Sequence, residues 1–157
     1  MKKFFIGIVA SLAFLTSGCA SLPEGARKMT LNINSVQIAT QKNVEGFIVD
    51  YTVHHSSSEP MPIDEVRIKV LINGKVAGVY NRYADLQLEN RKDVNFQTFV
   101  PANRSYAVAR ESLKKTPMLY VDATATVDLI VDEDSSVAAS AFNVSSTYTG
   151  IIHGSAN

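Results

Sequence analysis

Three histidines, a run of serines and an acidic triplet are the side chains of this 157-residue chain whose types could carry polar chemistry. His54 and His55 are adjacent, so on a strand they point to opposite faces and cannot hold one metal ion together. His153 completes no metal site by any ligand spacing. Strand-end histidines at the surface are the expectation for all three. Ser56-Ser57-Ser58 lacks the Gly-x-Ser-x-Gly setting of a nucleophile elbow and reads as a loop of turn-favouring hydroxyls. Asp132, Glu133 and Asp134 offer the clustered oxygens that a hard cation takes, but not at EF-hand spacing, so they read as a solvated turn. Neither a phosphate loop nor a dinucleotide glycine pattern is present. The expectation is a protein with no catalytic residue, no metal and no cofactor, and not an enzyme.

The one cysteine, Cys19, has an informative setting. Met1-Lys2-Lys3, an apolar run from Phe4 to Leu15 and the small residues Thr16-Ser17-Gly18 precede it. A basic start, about a dozen apolar residues and a small-residue cleavage point make a secretory signal, too short for the roughly 20 residues of a spanning helix. A cysteine directly after the small residues resembles the lipobox of bacterial lipoproteins, with Thr16 where that motif most often has Leu. The resemblance implies cleavage between Gly18 and Cys19, a diacylglyceryl thioether on Cys19 and an acylated new amino terminus. Each buried methylene contributes about 0.8 kcal/mol, and two or more chains make attachment stable. Ala20 and Ser21, in place of an aspartate, imply an outer-membrane address, with the domain facing the periplasm. A lipidated Cys19 leaves no thiol for a disulfide. The alternative is an ordinary secretory peptide cut nearby.

Removal of residues 1–18 leaves 139 of the 157, a length usual for one domain that can build a core without staples. The signal takes Lys2 and Lys3 with it, so 15 Lys and Arg become 13 against 15 Asp and Glu, a net of −2. That balance argues against nucleic acid as a partner and against a polybasic membrane patch; Arg91-Lys92 and Lys114-Lys115 are pairs, not clusters. Residues 19–28 read as a lipidated tether, of which Ser21–Lys28 reaches about 30 Å at full extension. The domain is expected over 29–152.

Within it the dominant period is two, the period of strands. Leu31 and Ile33 alternate with polar neighbours, slip near Ser35, and resume with Val36 and Ile38, which reads as a bulge. Phe47, Val49, Tyr51 and Val53 share one strand face, and Val66, Ile68, Val70 and Ile72 share another. Asn73-Gly74 supplies the positive backbone angles of a tight hairpin turn into a strand over Val76 to Tyr83. Further strands are expected over Val94–Val100, Leu119–Leu129 and Phe142–Tyr148. Asn103 to Lys115 breaks the period: Asn103 caps, Tyr106, Arg110 and Leu113 follow at helical spacing, and Pro117 ends the segment. Together these predict an all-β, immunoglobulin/fibronectin-III-like sandwich of about seven strands with one short helix across a sheet end. The strands around 44–55 and 118–131 are expected at the sheet centres.

The order of these segments resembles the late-embryogenesis-abundant type 2 family, or water-stress and hypersensitive-response (WHy) domain. The resemblance rests on the Gly46–His54 strand, Pro60-Met61-Pro62-Ile63, the Asn73-Gly74-Lys75-Val76-Ala77-Gly78 turn and the helix after Val100. It covers about residues 30–131. The family's Asn-Pro-Asn is absent; His55-Ser56-Ser57-Ser58-Glu59 stands in its place. The resemblance implies a non-enzymatic protein, with protection under dehydration and lipid binding or transfer among the roles proposed for the family.

The functional expectation is an outer-membrane lipoprotein acting by non-catalytic binding in envelope maintenance or desiccation-stress tolerance. Two alternatives stand beside it. One is an accessory subunit that docks a protein partner in the envelope through a sheet edge, the final strand, rich in Ser, Thr and Ala, being the candidate. The other is a lipid-binding module with an apolar groove between the sheets. Tyr80, Tyr83 and Tyr106 are the candidate partner-binding residues, placed at sheet edges or ends; ordinary tyrosines at the rim of the core are the alternative.

Overall fold

The computed structural model describes residues 26–115, 120–130 and 142–153. The signal segment with Gly18 and Cys19, most of the tether, Pro117, Leu119 and the acidic turn at Asp132–Asp134 lie outside these residues.

Seven strands and one helix follow one another along the described residues. They are β1 (Thr30–Gln41), β2 (Val44–His54), β3 (Met61–Ile72), β4 (Lys75–Leu88), β5 (Asp93–Pro101), α1 (Arg104–Lys115), β6 (Tyr120–Ile130) and β7 (Val144–His153). They form two antiparallel sheets, β1-β2-β5 and β4-β3-β6-β7, the all-β sandwich expected from the alternation. The centres fall where the longest apolar alternations are: β2 is the middle strand of one sheet, and β3 and β6 are interior in the other. At the flanks, β1 lies against β7 and β4 against β5.

Burial follows the period of two. Phe47, Val49, Tyr51 and Val53 of β2 and Ile63, Val66, Ile68, Val70 and Ile72 of β3 are buried in the core between the sheets, each contributing about 1.5–3 kcal/mol by leaving water. The slip expected near Ser35 is a bulge between Ile33 and Ser35. Asn73 (φ 49°) and Gly74 (φ 74°) form the β3–β4 turn as expected. A second such turn, at Lys42 (φ 48°) and Asn43 (φ 63°), joins β1 to β2. The helix also begins as expected: the Asn103 side-chain oxygen accepts from the amides of Ser105 (2.9 Å) and Tyr106 (3.3 Å).

Three expectations are corrected. The strand expected over Val76–Tyr83 runs on to Leu88, staying paired with β3 as far as Met61 across a bulge opposite Asp64 that slips their register. His55 is not a surface histidine: it is fully buried, and its Nε2 meets the backbone carbonyl of Glu89. Ser57, also fully buried, is more than a turn hydroxyl. Its Oγ accepts from the Arg27 amide (2.7 Å) and lies 3.3 Å from the Arg27 carbonyl, tying the entry of the chain to the 55–60 loop. A buried backbone with no ladder partner needs such a substitute, and that need overrides the loop's polar composition. His54 does stay exposed and pairs with Asp93 across the β2–β5 ladder.

Candidate binding cleft

β4 and β5 are edge strands of opposite sheets, and what lies between them changes along their length. Near α1 they are joined. Gly78 bridges Ala102, the Asn103 amide donates to the Ala77 carbonyl (2.7 Å), and the Asn103 side-chain amide donates to the Val76 carbonyl (2.7 Å). Gly78 permits this approach: a Cβ there would stand 2.9 Å from the Pro101 carbonyl and 3.0 Å from a Val100 methyl. Farther along, no such bridge exists among the described residues, and a cleft of about 280 Å³ opens between the sheets.

The cleft's lining comes from inward positions of four strands. Ile63, Val66 and Leu88 are buried in it, and Tyr51 of β2 stacks on Phe96 of β5 with ring centroids 5.3 Å apart and planes 21° apart. The β4 side carries Tyr80, Arg82, Ala84 and Leu86. Tyr80 and Arg82 stand opposite Ile68 and Val66 in the β3 ladder, so they share the inward face with those core residues. Polar groups are few. The Tyr51 hydroxyl lies 3.3 Å from that of Thr98. Burial pushes the Tyr51 phenol up, the Thr98 contact offsets part of that, and Tyr80 nearby raises it further. Arg82 is the one charged residue of the lining; it is exposed at the surface, and no carboxylate pairs with it among the described residues. Four of the ten lining side chains, Tyr51, Tyr80, Arg82 and Thr98, carry a polar group, and a mainly apolar pocket with a few placed polar groups has the make-up of a small-molecule site.

The three candidate tyrosines do not form one surface. Tyr80 lines the cleft. Tyr83, 69% exposed, stands opposite Glu65 on the outer face of β4, as does Val79, 56% exposed. Tyr106 is a correction: it is 3% exposed and packs edge-on against Phe47 at 5.0 Å and 75°. Tyr106 points from the helix onto the sheet end, so a tyrosine at helical spacing becomes core. Burial raises its phenol, the nearby Glu45 raises it further and Arg110 lowers it. The Arg110–Glu45 ion pair fastens the same helix face to β2.

Arg82, Leu86, Leu88, Phe96 and Thr98 were not singled out in the sequence. The available signal was an arginine two residues after Tyr80 and so in the same strand phase. The final strand, the expected docking edge, is an edge of its sheet as β7, but β1 lies alongside it. On the outer face of the larger sheet the buried Glu65 carboxylate pairs with Arg67, whose side chain is 45% exposed. The hydrogen bond from Arg67 holds the Glu65 carboxyl below its ordinary value, against the opposing effect of burial, with Asn81 adding to the lowering. Among the described residues no group of three His, Cys, Asp or Glu side chains could hold a metal ion, and no helix is long and apolar enough to cross a membrane.

The fold defines a class: a small two-sheet antiparallel β-sandwich with a cleft between edge strands of its two sheets. No family model matches the sequence, and no curated protein matches it. Among solved structures, the chain is similar to AT1g01470 of Arabidopsis thaliana, a late-embryogenesis-abundant-like protein, with a TM-score of 0.58 and 14% identity over 90% of this chain and 89% of that one. A protein from Archaeoglobus fulgidus matches with a TM-score of 0.50 and 6% identity over 83% of this chain and 94% of that one. Both are likenesses of fold, consistent with the WHy/LEA-like sandwich that the sequence resemblance implied.

Proposed function

We propose that this chain is a lipid-anchored envelope protein that acts by non-catalytic binding, its inter-sheet cleft receiving an apolar ligand. The anchor would be the acylated Cys19, with the domain facing the periplasm from the outer membrane and serving envelope maintenance or stress tolerance. The observation that carries the binding reading is the cleft itself: a void of about 280 Å³ with aromatic and aliphatic walls, in a sandwich otherwise closed along β1–β7 and near α1. Open apolar surface costs free energy in water, about 25 cal/mol per Å², which an apolar ligand recovers. Two experiments test the reading. Cys19→Ser should abolish palmitate incorporation and release the protein from the membrane fraction; processing and attachment unchanged would remove the anchor. Ala84→Trp should fill the cleft and exclude a bound apolar probe that the unaltered protein retains; equal retention would remove the cleft from the function.

A docking role has its own supporting observation. β4 is a sheet edge, and it carries Val79 and Tyr83 exposed on one face. Such an edge can accept a strand from a partner. Loss of a co-purifying protein on Val79→Lys, with the fold intact, is the expected result under that reading.

A further inference from the structure

We infer that the ligand of the cleft is a single-chain carboxylate amphiphile, a free long-chain fatty acid, with its tail between the sheets and its carboxylate on Arg82. The inference rests on the proposed reading of the cleft as a ligand site and adds the class of ligand.

Size sets the number of chains. Ligand pockets run from about 300 to 1,000 Å³, so about 280 Å³ suits one slender chain and not a two-chain phospholipid. The lining sets the character of the tail: Ile63, Leu86, Leu88 and the stacked Tyr51–Phe96 pair offer apolar and aromatic contact. Charge sets the head. Arg82 occupies an inward strand position whose ladder partner is the core residue Val66, and among the described residues no acid stands in the lining to neutralise it. Its neighbours in the same phase are Tyr80, whose hydroxyl can donate, and the small Ala84, which leaves room beside the guanidinium. A guanidinium presents a planar fork of donors that matches a carboxylate in two parallel hydrogen bonds. One cation is balanced by one carboxylate. A phosphate monoester, at about −1.5 to −2, would leave charge uncompensated in this lining. The lining therefore matches tail and head at once, which a neutral alcohol of equal length does not.

The test uses the full chain, anchored in vesicles of neutral phosphatidylcholine, at alkaline pH where the acid is ionised. A diazirine-bearing palmitate, the matching hexadecanol and the matching lysophosphatidic acid, a phosphate monoester, are photolysed at equal membrane loading, and labelled peptides are mapped. Palmitate should label the β4 and β5 peptides at least about ten-fold more than hexadecanol, the order of one charge-assisted pair. Arg82→Met should reduce palmitate labelling to the alcohol's level and leave the alcohol unchanged, while Arg82→Lys restores part of the difference. Equal labelling by palmitate and hexadecanol, or palmitate labelling indifferent to Arg82→Met, would overturn the inference and leave the cleft as a site for apolar chains. Stronger labelling by the lysophospholipid would overturn the carboxylate head. Labelling of these peptides by none of the three would overturn the cleft as a ligand site, and the inference with it.

Discussion

Lys42 has a backbone φ of 48°, and with Asn43 at 63° it makes the two-residue turn between β1 and β2. The left-handed region costs an ordinary residue about 1–2 kcal/mol, and less for Asn or Gly. Both side chains are exposed. The pair Lys42→Asn with Asn43→Gly should therefore stabilise the domain by about 1 kcal/mol, read as a higher urea midpoint at unchanged slope. Glu65 makes a different residue-level argument. Its folded carboxyl is held below the ordinary 4.5 by Arg67, so the contribution is complete above pH 4.5 and is lost as the pH falls through the lower folded value. Glu65→Gln should destabilise the domain at neutral pH and lose that deficit in acid. A deficit that is the same at both ends of a pH series of urea midpoints would show that charge has no part in it. Strand phase places Glu65 on the outer face with Arg67 and Lys69, and that much was legible. Its near-complete burial was not, because the strands that flank it, with Tyr83 and Ile130 opposite, lie farther along the chain.

Elements whose alternation is unbroken could be read directly. β2 and the second half of β3 present Phe47, Val49, Tyr51 and Val53 and then Val66, Ile68, Val70 and Ile72 to the core, in the phase expected. The expectation stops β4 near Tyr83, where its register with β3 slips opposite Asp64, and such a slip is fixed by the neighbouring strand as much as by its own residues. The cleft shares that difficulty: its walls join β2, β3, β4 and β5, and nothing local in any of them announces a gap. The helix start, by contrast, is a local matter, and Asn103 serves it in three ways. It caps Ser105 and Tyr106, its amide donates to Ala77 and its side-chain nitrogen donates to Val76. Asn103→Ala removes the cap and the link to Val76 and keeps the backbone bond, so it should cost about 1–2 kcal/mol. The loss should appear first as faster amide exchange at Ser105 and Tyr106, with β2 and β3 still protected; uniform exchange across the domain would deny the helix start a local role.

Across the whole molecule, the sandwich is packed unevenly, and two substitutions should expose the difference. At the α1 end, Phe47 is fully buried, meets Tyr106 edge-on and lies 3.4 Å from where a Gly78 Cβ would stand. It thereby joins β2, the helix and the edge of the other sheet. Phe47→Ala deletes a ring with nothing beside it free to collapse, so the loss should be about 3–5 kcal/mol. Against a usual total of about 5–15 kcal/mol for a domain, that leaves it near its unfolding threshold. At the cleft end, Leu86 is half-buried and already borders empty space. Leu86→Ala enlarges an existing opening to solvent and creates no sealed void, so the transfer cost should dominate, at about 1–2 kcal/mol, below the 2–5 typical of a closed core. Urea unfolding of the two variants side by side measures the contrast. If Leu86→Ala costs as much as a closed-core leucine, β4 and β5 pack shut along their whole length and no ligand enters between them. If it costs little and added fatty acid raises the midpoint of the unaltered protein more than that of the variant, the same asymmetry that weakens this end of the sandwich is what makes it a binding site.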